Sequence, residues 1–547
     1  MPLNYATQIC EVDALMTPSP KSFSWEYAMS TKKALPLAVF AASAFPVSPV
    51  YAAMHLSDQG IGETLIFPFY SVESGNNTLV NVANATEGHK AVKVRILEGR
   101  GSQEVLDFNL YLSPKDHFSF SISATGTGGA KLSTADRSCT VPTIPADGVE
   151  FLTTKIGGDV SRTRTGYVEV IEMGQLDPKS APIIDTKALA DPTIVAMNAA
   201  DAITHNADGI PANCRILVDA WSRYSGVDGV WFAESKTTDL TGGSEFLANW
   251  AGGGLYGYAT VINVPEGASF GFDAIAIADH VAAGATGSDM HYYPADVRPN
   301  LADSAMDTAA IVSVDGRAVT LDFDGDYTSE LIERTQAVNA LIMATEVYND
   351  YVTDPAISAR TDWVMTFPTK SFHVDGGTPF EPFDGGCEPI AMGAFDREEM
   401  VGEGWDDSST PGFSPTPPGP GAPNLDIPLC DESTIVQFGA ESATGVGRAV
   451  GVSDFLPSKD GWAIISMLPA TISSTLGVCT DGQNFTNPCK RSIDAGDGQL
   501  VGLPVIGFAV QKYVNGSAGG TGILANYATA VAHKSCAAGS GTAYELC

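Results

Sequence analysis

The residues best spaced for chemistry are those of Asp322-Phe323-Asp324-Gly325-Asp326-Tyr327-Thr328-Ser329-Glu330-Leu331-Ile332-Glu333. Side-chain oxygens fall at the first, third, fifth, ninth and twelfth places of this window. Thr328 takes the seventh, where a backbone carbonyl usually serves. Ca²⁺ takes about six to eight oxygens at such spacing and ends on a bidentate carboxylate. The window therefore resembles an EF-hand-type loop, with Asp322, Asp324, Asp326, Thr328, Glu330 and Glu333 as the expected Ca²⁺ ligands. Tyr327 departs from that pattern, because the sharp turn wants Gly there, and the preceding residues read as a strand. The competing reading is a capped helix start, with Thr328 or Ser329 as N-cap and carboxylates favoured by the helix dipole.

Other chemistry finds less support. Its one Gly-x-Ser-x-Gly match, Gly267-Ala268-Ser269-Phe270-Gly271, leads into an expected strand where a nucleophile elbow leads into a helix, and the chain has no His-Glu-x-x-His helix. Its eight His (His55, His89, His117, His205, His280, His291, His373 and His533) are scattered. A triad is a matter of spatial geometry, so spacing alone does not decide that case. Glu169 and Glu172 stand on a strand whose open face would suit a cleft, but solvated surface positions are the expectation. The aromatic-rich stretch Trp221, Tyr224, Trp231, Phe232, Trp250, Tyr256 and Tyr258 reads as core; exposed, such rings would stack on sugars. Gly252-Gly253-Gly254 is no phosphate loop, since no Gly-Lys-Ser/Thr follows.

The cysteines point to an oxidising compartment. Eight follow Cys10, an even number, and no Cys-x-x-Cys pair suggests zinc. Short separations favour Cys479–Cys489 and Cys536–Cys547, then Cys387–Cys430 and Cys139–Cys214. Residues 29–52 carry the parts of a secretory signal: Lys32 and Lys33, an apolar run from Ala34 to Phe45, and Val50-Tyr51-Ala52 as cleavage site. Residues 1–28 lack that logic and read as a start assigned too early. No later run reaches the roughly 18 apolar residues a membrane helix needs. The formal charge of −34, from 64 acidic and 30 basic residues, repels nucleic acid and anionic membranes.

The elements that position these residues are mostly strands. In Ile61–Ile122, Val92, Val94 and Ile96 interleave with Lys93 and Arg95, and Leu106, Phe108, Leu110 and Leu112 interleave with polar neighbours. A period of two marks half-buried strands. Turn-formers such as Gly99-Arg100-Gly101 and Ser113-Pro114-Lys115-Asp116 separate them, so an antiparallel meander is expected. Further strands are read at Gly166–Met173, Tyr258–Val264, Phe270–Ala278, Asp362–Phe367, Trp462–Met467 and Val501–Val510. A hairpin is read around Asp315-Gly316. Asp191-Pro192 begins an expected helix through His205, and Cys214–Trp221 suits a helix or a buried strand. Thr328–Tyr351 is read as one long helix, its stripe running from Leu331 to Val347 without Gly or Pro. The fold class is thus mainly β: an antiparallel β-sandwich, immunoglobulin-like or jelly-roll-like, over 53–290, then a mixed region over 291–547 with that helix. Residues 408–423 form a Pro/Gly-rich insertion.

Several phrases resemble a family of uncharacterised, signal-peptide-bearing proteobacterial exported or cell-surface proteins. They include Gly62-Glu63-Thr64-Leu65-Ile66-Phe67-Pro68-Phe69-Tyr70, Gly166-Tyr167-Val168-Glu169-Val170-Ile171-Glu172-Met173-Gly174 and Asp362-Trp363-Val364-Met365-Thr366-Phe367. The resemblance implies export and a β-rich fold, and no reaction. The expected function is a non-enzymatic cell-surface, extracellular or periplasmic protein, structural or adhesive and Ca²⁺-stabilised, meeting a surface glycan or copies of itself. The alternative is a secreted carbohydrate-active protein that binds or hydrolyses polysaccharide, marked by two carboxylates across an aromatic-walled cleft.

Overall fold

Alternating side chains build two sandwiches. The computed structural model describes residues 53–180, 182–183, 197–222, 231, 245–247, 250, 252–280, 291–303, 309–314, 317–323, 330–375, 378–383, 386–397, 427–467, 491–495, 498–517 and 524–539. The expected signal segment 29–52, the 408–423 stretch, Cys479 and Cys489 lie outside them, as do residues 191–196 of the first expected helix.

The first sandwich uses β1 (Met54–Leu56), β2 (Thr64–Ser71), β3 (Asn76–Asn84), β4 (His89–Glu98), β5 (Glu104–Leu112), β6 (His117–Ala124), β7 (Ala130–Ser133) and β8 (Cys139–Val141). It continues with β9 (Val149–Glu150), β10 (Thr165–Leu176), β11 (Leu255–Asn263), β12 (Ala268–Asp273), β13 (Ile275–Ala278), β14 (Ala309–Val314) and β15 (Arg317–Asp322). One sheet runs β15-β14-β1-β13-β2-β10-β4-β5-β8, the other β12-β11-β3-β6-β7-β9. Val92, Val94, Phe108, Leu110, Val168 and Val170 of the first meet Val80, Val82, Phe118, Phe120 and Leu132 of the second in one apolar core.

This arrangement corrects the expected meander. The strands β4 and β5 pair with each other, but β3 and β6 belong to the facing sheet. Two crossovers therefore pass over one end of the core, and the buried amide of Asn84 holds both. It donates to Gly88 O at 2.7 Å and to Ser113 O at 2.9 Å. The Phe270–Ala278 strand likewise divides, β12 joining one sheet and β13 the other. The strands flanking the expected hairpin pair antiparallel, with Val314 opposite Arg317, while Asp315 and Gly316 themselves lie outside the described residues.

The outer face of the nine-stranded sheet is covered. Helix α1 (Ala199–Ile203) and helix α2 (Arg215–Ser222) lie with Ala91, Tyr111 and Met173. The 291–303 segment crosses β4 and β5, and helix α3 (Glu330–Ile342) covers Ile66 and Ile277. Cys214–Trp221 is thus helical. The expected helix Thr328–Tyr351 stops at Ile342. Met343–Ala344 pairs with Leu503–Pro504, and Glu346–Val352 is a strand beside Asp460–Ser466. Val347, Tyr348, Tyr351 and Val352 suit a strand, and sheet pairing overrides the helical stripe.

The second sandwich has two five-stranded sheets. One orders Ile427–Leu429, Glu388–Phe395, Asp460–Ser466, Glu346–Val352 and Lys534–Cys536; the other Val450–Gly451, Ser433–Gln437, Ala359–Thr366, Ile506–Ser517 and Leu524–Ala532. Val347, Trp363, Met365, Met392, Ile465 and Ala509 share its core. Thr366 Oγ1 donates to Pro68 O at 2.6 Å, and Phe69 meets Phe508 edge-on, so the sandwiches are joined by polar and apolar contacts. Disulfides join Cys139 to Cys214 and Cys387 to Cys430. Cys536 is also disulfide-bonded, while Cys547 lies outside the described residues.

Candidate functional site

The outer face of the six-stranded sheet is open to solvent. Along β11 the side chains alternate, Leu255, Gly257, Ala259 and Val261 inward and Tyr256 and Tyr258 outward. The two tyrosines are 41% and 45% exposed. Gly257 between them is required by close approach: a Cβ there would lie 2.5 Å from Asn81 O and 2.6 Å from Phe67 Cζ. Tyr258 stands between Asn81 of β3 and Asp273 of β12, and Tyr256 stands opposite Ala83, with His117 beyond. The side chains of Tyr256, Tyr258, Asn81, Asp273 and His117 have no hydrogen-bond or ion-pair partner among the described residues.

The aromatic-rich stretch therefore divides. Trp221, Trp231 and Trp250 are buried, as expected of core. Trp221 and Trp231 meet at 5.3 Å, and Trp221 Nε1 donates to Tyr111 OH at 2.8 Å. Tyr224 and Phe232 lie outside the described residues. What remains outward is two free phenol rings flanked by an amide and a carboxylate. Such a face offers stacking and hydrogen bonding together.

A second arrangement is buried. The expectation that Glu169 and Glu172 are solvated is overturned, for both are inaccessible. The cause is the covered outer face of their sheet. There Arg95 pairs with Glu169 and, at 3.0 Å, with Glu104. Lys93 pairs with Asp107 and donates to Pro294 O at 2.6 Å and Asp296 O at 2.7 Å, which straps the 291–303 segment down.

Lys90 pairs with Glu172, their side chains 1% and 0% exposed. No other acceptor meets Lys90 Nζ among the described residues. Glu172 Oε2 accepts from the Gly253 N–H at 2.9 Å. Glu63 is buried near Glu172, and its Oε2 has no partner among the described residues. Burial first, then the charge of Glu172, push the Glu63 carboxyl up to about 8. A Cβ at Gly252 would come 2.5 Å from Glu63 Oε1, so the glycine run lets backbone reach two carboxyls.

Ser113, His205 and Asp116 also meet, in a way unlike a hydrolytic triad. Ser113 Oγ lies 3.0 Å and Asp116 Oδ2 3.6 Å from the same His205 Nδ1. A triad sets nucleophile and carboxylate on opposite ring nitrogens. Asp116 instead closes the β5–β6 turn by accepting from Ser113 N at 3.0 Å.

Of the expected Ca²⁺ ligands, Asp322 ends β15, Glu330 opens α3 and Glu333 is buried in its first turn. Asp324, Asp326 and Thr328 lie outside the described residues. Among the described residues no three His, Cys, Asp or Glu side chains are grouped to hold a metal ion, and no helix is long and apolar enough to cross a membrane. No family model matches this chain, and neither does any curated protein or solved structure.

Proposed function

We propose that this is an exported, non-enzymatic protein of the cell surface or its surroundings, adhesive in role, that holds a neutral polysaccharide on the outer face of the six-stranded sheet. The observation that carries this reading is the exposed pair Tyr256 and Tyr258 beside the unpartnered Asn81 and Asp273. Tyrosines two apart on a strand stand roughly 7 Å from each other. Two successive sugars lie against such a pair, their C–H faces on the rings and their hydroxyls toward the amide and carboxylate. A rigid sheet loses little freedom on binding, which favours the complex. The charge of −34 disfavours acidic polysaccharides and leaves neutral ones. The disulfides support an oxidising compartment.

The test is depletion of the purified protein from solution by insoluble neutral polysaccharides, cellulose and chitin first, then soluble neutral glycans on an array. Retention that Tyr256→Ala/Tyr258→Ala abolishes supports the assignment. No retention by the wild type, or retention indifferent to both substitutions, rejects it. Fractionating cells tests export in parallel: mature chain confined to the cytoplasm ends that half of the proposal.

A further inference from the structure

The Lys90–Glu172 pair differs from the buried Lys93–Asp107 pair on the same strand. Lys93 donates to Asp107 and to the carbonyl oxygens of Pro294 and Asp296. Lys90 is equally buried and meets only Glu172. An ammonium carries three donors, and leaving two of them dry is costly. Moving one proton from Lys90 to Glu172 gives a neutral amine touching a neutral carboxyl and removes both buried charges. That is a nucleophile against an electrophile, in a place that excludes water.

We propose that Lys90 and Glu172 are joined by an intramolecular amide, formed by the folded chain itself. The Lys90 nitrogen lone pair attacks Cδ of the protonated Glu172 carboxyl, and a C–N bond forms. A C–O bond of the tetrahedral intermediate then breaks, and one water leaves, built from the carboxyl hydroxyl and a proton shed by nitrogen. Nothing is oxidised or reduced, and no co-reactant is consumed. The Gly253 N–H, already on Glu172 Oε2, stabilises the negative charge that gathers there. Glu63 relays the proton from nitrogen to the departing hydroxyl. Its burial and its unpartnered Oε2 suit that relay, and its raised pKa keeps it protonated at neutral pH. The strands β4 and β10 hold the reacting groups together along a ten-residue ladder, from Gly166–Glu98 to Leu176–His89. Such fixed proximity replaces an enzyme, with effective concentrations of about 10⁵ M or more. The product ties two central strands of the nine-stranded sheet together and removes a buried ion pair. The inference is independent of the glycan face.

The experiment is the intact mass of the full purified chain under denaturing, reducing conditions, compared with the mass calculated from its observed N-terminus. The expected value is low by one water, and tryptic digestion yields a branched peptide in which uncleaved Lys90 is linked to the Glu172 peptide. Lys90→Arg restores the full mass, as does Glu63→Gln, which keeps the shape but carries no transferable acid proton. Wild type at full mass, or a missing water that maps elsewhere, overturns the proposal whether or not any variant folds. A missing water that persists in Glu63→Gln overturns the relay.

Discussion

Tyr256 and Tyr258 present their rings to solvent from one face of β11, and the glycine between them lets the strand lie against Phe67. If this pair holds sugar, Tyr256→Ala and Tyr258→Ala should each weaken binding by about 1 kcal/mol, roughly fivefold in Kd. Both positions are exposed, so stability should change by no more than about 0.5 kcal/mol. A neutral ligand also predicts a Kd unaffected by salt, since there is no charge to screen. Calorimetric titration at low and high salt, with thermal melts of each variant, checks the three together.

Arg95 is the hub of the buried charges on the outer face of the nine-stranded sheet. Arg95→Met leaves Glu169 buried without its cation, and about 3–5 kcal/mol of stability should be lost. Arg95→Met/Glu169→Met removes the stranded charge, and Glu104 keeps Lys155 at 3.3 Å. The double variant should be more stable than the single one. Urea denaturation of the cycle measures this; a double variant worse than Arg95→Met contradicts the electrostatic account.

Cys139 and Cys214 close a separation of 75 residues between β8 and the start of α2. In the chain-entropy account a loop of that length is worth about 4 kcal/mol. Cys139→Ser/Cys214→Ser should lower the denaturation midpoint accordingly, and a reductant should then have less further effect than on wild type.

Acidity should stabilise the fold. Burial, opposed by Lys370 and reinforced by Glu98 and Glu169, pushes the Glu432 carboxyl from 4.5 up to about 8. Between those values the folded chain holds a proton the unfolded chain has lost, so stability falls as pH rises. The contribution is fully present below the unfolded value and gone above about 8. Glu63 acts with the same sign. Thermal midpoints should therefore drop between about pH 5 and pH 8, and Glu432→Gln should flatten that slope.

The acidic window before α3 predicts Ca²⁺ uptake. Titration of metal-free protein should release heat that Asp324→Ala removes; an athermal, binding-free wild type eliminates the site.

The strands were legible because apolar residues alternate in them: Val92, Val94 and Ile96 are all buried in the core, as that period requires. The antiparallel pairing of β14 with β15 and two disulfides were legible for equally local reasons of turn chemistry and cysteine parity. Lys93, Arg95 and Glu169 misled, because a charged residue at every second position normally faces water. Over Lys93 lies Tyr293 to Asp296, some 200 residues away, and no local pattern announces that. The helix read to Tyr351 failed similarly, since one apolar stripe serves either a helix face or a strand beside Asp460–Ser466. Ring density near Trp221 did not separate buried tryptophans from outward tyrosines, a matter of which sheet face remains bare.

The amino-acid order by itself determined a mainly β chain with cysteines set for oxidation, because strand period, turn residues and cysteine count are properties of neighbours and totals. Tertiary structure alone decided which sheet each strand joins, which polar faces are sealed, and that Lys90 meets Glu172 with Glu63 at hand. Those outcomes depend on pairings between residues remote in sequence, whose energies add up only once the whole sandwich has closed.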